Sequence, residues 1–146
     1  MKSRSDEAVA MMVAGFNCAQ SVLSVFCEDF HLDRQTAFKL ATGFGAGMAN
    51  QQEICGAVTG AVMAIGLTHG RSHVSDQAAK ERTYLLTREL MVSFKAKFGS
   101  CYCRELLPGI DLASAAGHAL YKEKNLAEKV CRPCVAEAVR ILEDIL

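Results

Sequence analysis

Seven cysteines, Cys18, Cys27, Cys55, Cys101, Cys103, Cys131 and Cys134, stand in a chain of 146 residues. An odd number cannot pair completely within one chain. The opening Met1-Lys2-Ser3-Arg4-Ser5-Asp6-Glu7 runs into an amphipathic pattern and not into an apolar export segment with a cleavage site. A cytoplasmic, reducing location is therefore expected, where structural disulfides are rare. Three uses of the thiols are left: inert packing, ligation of a metal or cluster, and redox chemistry. The thiolate is the form that attacks and that binds metal, so the environment of each sulfur decides among them.

Two local patterns stand out. Cys131-Arg132-Pro133-Cys134 is a C-x-x-C with proline just before the second thiol, as in some dithiol oxidoreductases. The βαβ pattern that accompanies a thioredoxin fold is absent. Cys101-Tyr102-Cys103 is a C-x-C. Together Cys101, Cys103, Cys131 and Cys134 are candidate ligands for one Zn²⁺ or one iron–sulfur cluster, although C-x-C is tighter than the usual spacing of about two to four intervening residues. Val135 follows Cys134, which excludes a C-x-x-C-H haem attachment. The histidines add little. His69 and His73 straddle Gly70 and read as a solvated pair beside a bend, and His31 and His118 stand alone.

The elements that must position these thiols read as helices throughout. No stretch alternates with period two, and the sequence predicts one all-α domain over 1–146, a compact bundle of about five to seven helices with no sheet. A first helix is expected from about Ser5 to Ala14. A second starts at Cys18 behind the cap Asn17 and ends near Asp29. A third, Arg34 to Thr42, is capped by Asp33. The glycine-rich helix, about Gln52 to Leu67, carries Cys55 in its first turn. The longest runs from Ser75-Asp76 to Phe98, with Leu86, Leu90, Phe94 and Phe98 as its apolar stripe. A single turn from Cys101 to Leu107, a helix from Asp111 through Tyr121, a partly helical 122–130, and a last helix opened by Pro133 with Val135, Val139, Leu142 and Leu146 inward complete the chain.

On these elements six of the cysteines fall at helix starts, where free N–H groups and a partial positive charge favour a thiolate. Only Cys27 comes late in its helix, and packing is its expected role. Gly56, Gly60 and Ala64 share one helix face, which admits another backbone closely. Gly43-Phe44-Gly45-Ala46-Gly47 has no preceding strand and no following Lys-Ser/Thr, so it reads as turn and close-packing glycine and not as a phosphate loop. A net charge of +0 with no basic block argues against nucleic acid. The apolar run Ala57–Leu67 is too short to span a bilayer.

Five stretches taken together carry a resemblance: Gly15-Phe16-Asn17-Cys18-Ala19-Gln20, Gly43-Phe44-Gly45-Ala46-Gly47-Met48, Cys55-Gly56-Ala57-Val58-Thr59-Gly60-Ala61, Cys103-Arg104-Glu105-Leu106-Leu107, and Cys131. In this order the chain resembles the redox-active protein family C_GCAxxG_C_C over nearly its whole length. The resemblance implies that Cys18, Cys55, Cys103 and Cys131 are the characteristic cysteines and that Cys27, Cys101 and Cys134 are extras. It implies redox activity without fixing a reaction. The leading expectation is that Cys18, Cys55, Cys103 and Cys131 converge from helix starts, either to exchange thiol and disulfide states or to hold an iron–sulfur cluster for electron transfer. In the thiol version Cys55 is expected to be the more activated sulfur. A redox partner protein or a small thiol is the expected partner. The alternatives are a Zn²⁺ module, structural or metal-handling, and a non-catalytic scaffold with packing cysteines, for which the Gly56/Gly60/Ala64 face is the candidate homodimer contact.

Overall fold

The computed structural model describes residues 2–146, so Met1, the first residue of the expected domain, lies outside them. Eight right-handed α-helices follow one another: α1 (Arg4–Ala14), α2 (Cys18–Ser24), α3 (Arg34–Ala41), α4 (Gly56–His69), α5 (Gln77–Phe98), α6 (Cys103–Leu106), α7 (Ala115–Glu123) and α8 (Arg132–Ile145). No strand occurs among the described residues, and none of their helices is long and apolar enough to cross a membrane. The all-α expectation holds. The helix count exceeds the expected five to seven because short turns such as α6 are helices in their own right, held by backbone bonds to another part of the chain.

The main core lies where α4, α5 and α8 meet, with Val58 and Ile65 against Leu86, Leu90 and Phe94 and against Val135, Val139 and Leu142. The i, i+4 stripe of α5 is buried as its spacing requires. Leu146, expected inward, is 37% exposed at the chain end. A smaller core joins Ala19, Leu23, Cys27, Ala37 and Ala41. Cys27 is fully buried there and its thiol donates to the Ser24 carbonyl at 3.4 Å, a packing role.

Two departures from the expected elements shape the rest. The second helix is shorter than expected: it stops at Ser24, and a tight turn over Cys27–Phe30 follows. The glycine-rich helix starts at Gly56 and not at Gln52. Residues 52–55 are instead outside any helix: Gln52 takes a left-handed φ of 56°, and Ile54 crosses Tyr102 in a single antiparallel bridge. Cys55 N–H donates to the Cys101 carbonyl at 2.8 Å, and Cys103 N–H donates to the Glu53 carbonyl at 2.7 Å. This crossing stitches the start of α4 to the start of α6.

Candidate thiol site

Asn17 fixes the start of α2 as its sequence position predicts. Its Oδ1 accepts the Gln20 N–H at 2.9 Å, and the Gln20 Oε1 accepts the Asn17 N–H at 3.0 Å, a reciprocal capping box. Cys18 is the first helical residue. The row on α4 then brings Cys18 to Cys55. A Cβ at Gly60 would stand 2.7 Å from the Ala19 carbonyl oxygen, and one at Gly56 would stand 3.0 Å from the Cys18 Cβ. Only glycine lets α2 and α4 come this close. The same face is thereby consumed inside the chain, with Gly60 and Ala64 buried, which leaves it no room to serve the expected homodimer.

The glycine run before α4 also meets its expected use as turn and packing glycine. Ala46, Gly47, Met48, Ala49 and Asn50 all take positive φ, between 50° and 67°. At Gly47 a side chain would strike the backbone of Gln52, with its Cβ 2.6 Å from the Gln52 Cα. Four non-glycine residues in this region are strained by about 1–2 kcal/mol each, a load that surrounding structure must hold in place. The left-handed coil returns the chain so that Gln52 lies 7% exposed beneath the site. Gln52 Oε1 accepts the Leu112 N–H at 3.0 Å. Its Nε2 makes no other hydrogen bond and lies beside the Cys103 sulfur.

The last helix differs from its expected form. Pro133 was to open it, with Cys131 and Cys134 at a free N-terminus. Instead a widened π turn, Ala127–Cys131, runs straight into α8, and Cys131 has helical φ/ψ of −69° and −44°. The physical reason is Pro133 itself. Inside a continuous α-helix its ring collides with the carbonyl four residues back, and a π turn moves that carbonyl aside. Cys131 therefore projects from within a helix and lacks the dipole benefit expected for it. In α7, too, the cap differs: Ser114 accepts the Gly117 N–H at 2.9 Å, whereas Asp111 accepts from Ala113.

These elements enclose a cavity of about 270 Å³ whose wall includes five cysteines: Cys18, Cys55, Cys103, Cys131 and Cys134. Apolar side chains, among them Met12, Phe16, Leu106 and Leu112, make up most of the remainder. The four characteristic cysteines are thus brought together. Cys101 is not with them. Its thiol donates to the Met91 carbonyl at 3.5 Å, beside Ile54, so the set Cys101, Cys103, Cys131 and Cys134 is not assembled around one point. No group of three or more His, Cys, Asp or Glu among the described residues is arranged to hold a single metal ion.

Two pairs of thiols on this wall shift each other's pKa, Cys18 with Cys131 and Cys55 with Cys134. Cys18 gives its hydrogen bond to Cys131, which raises the Cys18 pKa, with burial adding to the rise. Cys131 is lowered to about 7, first by that bond from Cys18 and further by Tyr121, against an opposing cost of burial. The Tyr121 hydroxyl donates to the Cys131 sulfur at 3.3 Å. Cys55 is lowered, first by a hydrogen bond from Cys134, then by the N–H groups of Ala57 and Val58 in the first turn of α4, with burial opposing. Cys134 is raised correspondingly as the donor. Cys103 is pushed up to about 12 by burial and by the neighbouring sulfur charges, so it stays a thiol at neutral pH. Cys55, expected to be the more activated, is lowered but buried, whereas Cys131 is lowered and partly exposed.

Tyr121 is a candidate site residue that sequence reasoning missed. It lies ten residues before Cys131, across the turn that ends α7, and no motif marks it. His118, read as standing alone, is exposed at the cavity rim one turn earlier. No curated protein and no solved structure matches the chain. The family model described as "Putative redox-active protein (C_GCAxxG_C_C)" matches residues 16–145. On that match, which spans most of its length, the chain belongs to the C_GCAxxG_C_C family.

Proposed function

We propose that the chain is a dithiol redox protein in which Cys131 attacks an external disulfide and Cys18 resolves the product. The observation that carries this reading is the Cys18–Cys131 pair itself: a partly exposed sulfur lowered to about 7, its donor thiol against it, and the Tyr121 hydroxyl at 3.3 Å. A sulfur with its pKa near the ambient pH combines thiolate fraction with nucleophilicity. The Cys131 thiolate attacks one sulfur of the disulfide and the other leaves as a thiolate that takes up a proton. Cys18 then gives up its proton and attacks the Cys131 sulfur, expelling the remaining half as a second thiol. The external disulfide is reduced to two thiols and Cys18–Cys131 is oxidised to a disulfide. A small thiol or a redox partner protein reverses the step, and a cytoplasmic setting suits this exchange.

The test is to expose the reduced chain to glutathione disulfide, trap free thiols by alkylation, and map the products by mass spectrometry. A Cys18–Cys131 disulfide is expected, with a pH profile for Cys131 alkylation centred near 7. Free Cys18 and Cys131 after exposure sink the reading.

A second reading is favoured by the common wall of Cys18, Cys55, Cys103 and Cys131. These residues would hold an iron–sulfur cluster, which supplies one-electron transfer when bound. The start of α4 would place its N–H groups near the Cys55 sulfur and offset part of the negative charge. Iron and sulfide analysis after anaerobic purification separates the two: stoichiometric iron and sulfide favour the cluster, and metal-free chain with reactive thiols favours exchange.

A further inference from the structure

The exchange step leaves three sulfurs of the same cavity unused, Cys55, Cys103 and Cys134, of which Cys103 is pushed up by burial and held as a thiol. Cys55 and Cys134 belong to one buried core cluster and line the same cavity as Cys18 and Cys131. Their exposure differs in kind. Cys55 is 6% exposed and Cys134 1%, deeper in the cavity wall than Cys18 and Cys131, which are partly open. Each outer cysteine also has an inner one beside it. Cys131 and Cys134 are three residues apart on one helical face. Cys18 and Cys55 meet across Gly56, where a Cβ would stand 3.0 Å from that of Cys18. The four sulfurs therefore form two ranks on one cavity wall, an outer one and a more deeply buried one.

We propose that Cys55 and Cys134 are a second, buried dithiol that is oxidised only through the outer Cys18–Cys131 pair, so that one chain reduces two molecules of an organic disulfide. The proposal rests on the exchange reading for the outer pair. After the first turnover the Cys55 thiolate attacks the Cys131 sulfur of the Cys18–Cys131 disulfide, and Cys18 leaves and takes up a proton. Cys134 then gives up its proton and attacks the Cys55 sulfur, and Cys131 leaves. The Cys55–Cys134 disulfide has replaced the outer one with no net change in oxidation state. Cys18 and Cys131 are again a dithiol, and a second organic disulfide oxidises them. The N–H groups of Ala57 and Val58 suit Cys55 to the attacking role. A disulfide carries no charge, so the buried position of the inner pair favours storing the oxidised form there.

The experiment is a time course of the full, reduced chain with limiting and then excess glutathione disulfide, quenched in acid, alkylated and mapped by mass spectrometry. The expected order is Cys18–Cys131 first, Cys55–Cys134 at its expense, and both at excess. Cys134→Ser is expected to keep the outer disulfide while the uptake of oxidant falls about two-fold. Cys18→Ser is expected to slow formation of Cys55–Cys134, with circular dichroism confirming that each variant is folded. An outer disulfide that persists while Cys55 and Cys134 remain alkylatable overturns the inner relay and leaves the exchange reading intact. Formation of Cys55–Cys134 at an unchanged rate in Cys18→Ser overturns the route through the outer pair. Failure of both disulfides overturns the two readings together.

Discussion

Cys55 is aimed by the start of a helix and Cys131 by the middle of one, yet both sulfurs are drawn toward the thiolate. At Cys55 the backbone itself helps, through the free N–H groups of Ala57 and Val58. At Cys131 those groups are engaged in a continuous helix, and side chains from α2 and α7 take their place. The difference teaches that helix starts are one way of stabilising sulfur charge and tertiary donors another. The second way is the more adjustable, because a single side chain can be removed without moving the backbone.

The largest expected effect separates the two sulfurs by reactivity. Cys131→Ser should abolish reaction with glutathione disulfide at neutral pH, since the remaining lowered thiol is buried. Persistent wild-type consumption of the disulfide would make Cys55 the entry point. Next comes the packing that joins α2 to the site. Gly60→Val should destabilise the fold by about 1–3 kcal/mol in denaturant unfolding, because its Cβ meets the Ala19 carbonyl at 2.7 Å. An unfolding midpoint equal to wild type would mean that α2 can retreat without cost.

A finer comparison weighs the donors. Cys18→Ala should raise the midpoint of Cys131 alkylation by about 1–2 pH units, the value of a hydrogen bond to a charged group. Tyr121→Phe should raise it by less, because Cys18 is the larger cause. Neither should change the N–H contacts at Cys55. A larger shift from Tyr121→Phe than from Cys18→Ala would reverse the assigned order. Stability should follow the same groups. Cys131 is depressed to about 7 from an unfolded value near 9, so its contribution is complete above pH 9 and is lost as pH falls through 7. Cys103 is raised to about 12, so its contribution is complete below pH 9 and is lost as pH rises toward 12. Unfolding measured from pH 6 to 11 should show a rise and then a fall. The smallest effect is expected on the surface: Arg104→Ala removes the ion pair with Glu53, about half exposed on both sides, and should cost less than about 1 kcal/mol.

Much of this arrangement is legible in the chain because it is local. Asn17 and Gln20 announce the start of α2, and the four-residue spacing of Gly56 and Gly60 announces a close-packed face. Cys27 reads as packing from its place late in an apolar stretch. What is not legible depends on partners distant in sequence. The Tyr121 hydroxyl meets Cys131 only because α7 turns back on the π segment. The crossing of 52–55 with Tyr102 converts an expected helix start into non-helical chain, and only the backbone bonds of Cys55 and Cys103 reveal why. Pro133 by type belongs in a first turn, whereas here a helix already under way accommodates it.

The π turn before Pro133 also sets the phase of what comes ahead of it. It holds one more residue than an α turn, so everything upstream is rotated by about 100° relative to an unbroken α-helix. A chain one residue shorter between Leu126 and Arg132 would make a more regular helix, but it would turn the segment from α7 onward away from the cavity. Length in this short stretch is thus as exacting as the identity of the cysteine at its end. A single-residue deletion there should act on Cys131 as loss of Tyr121 does.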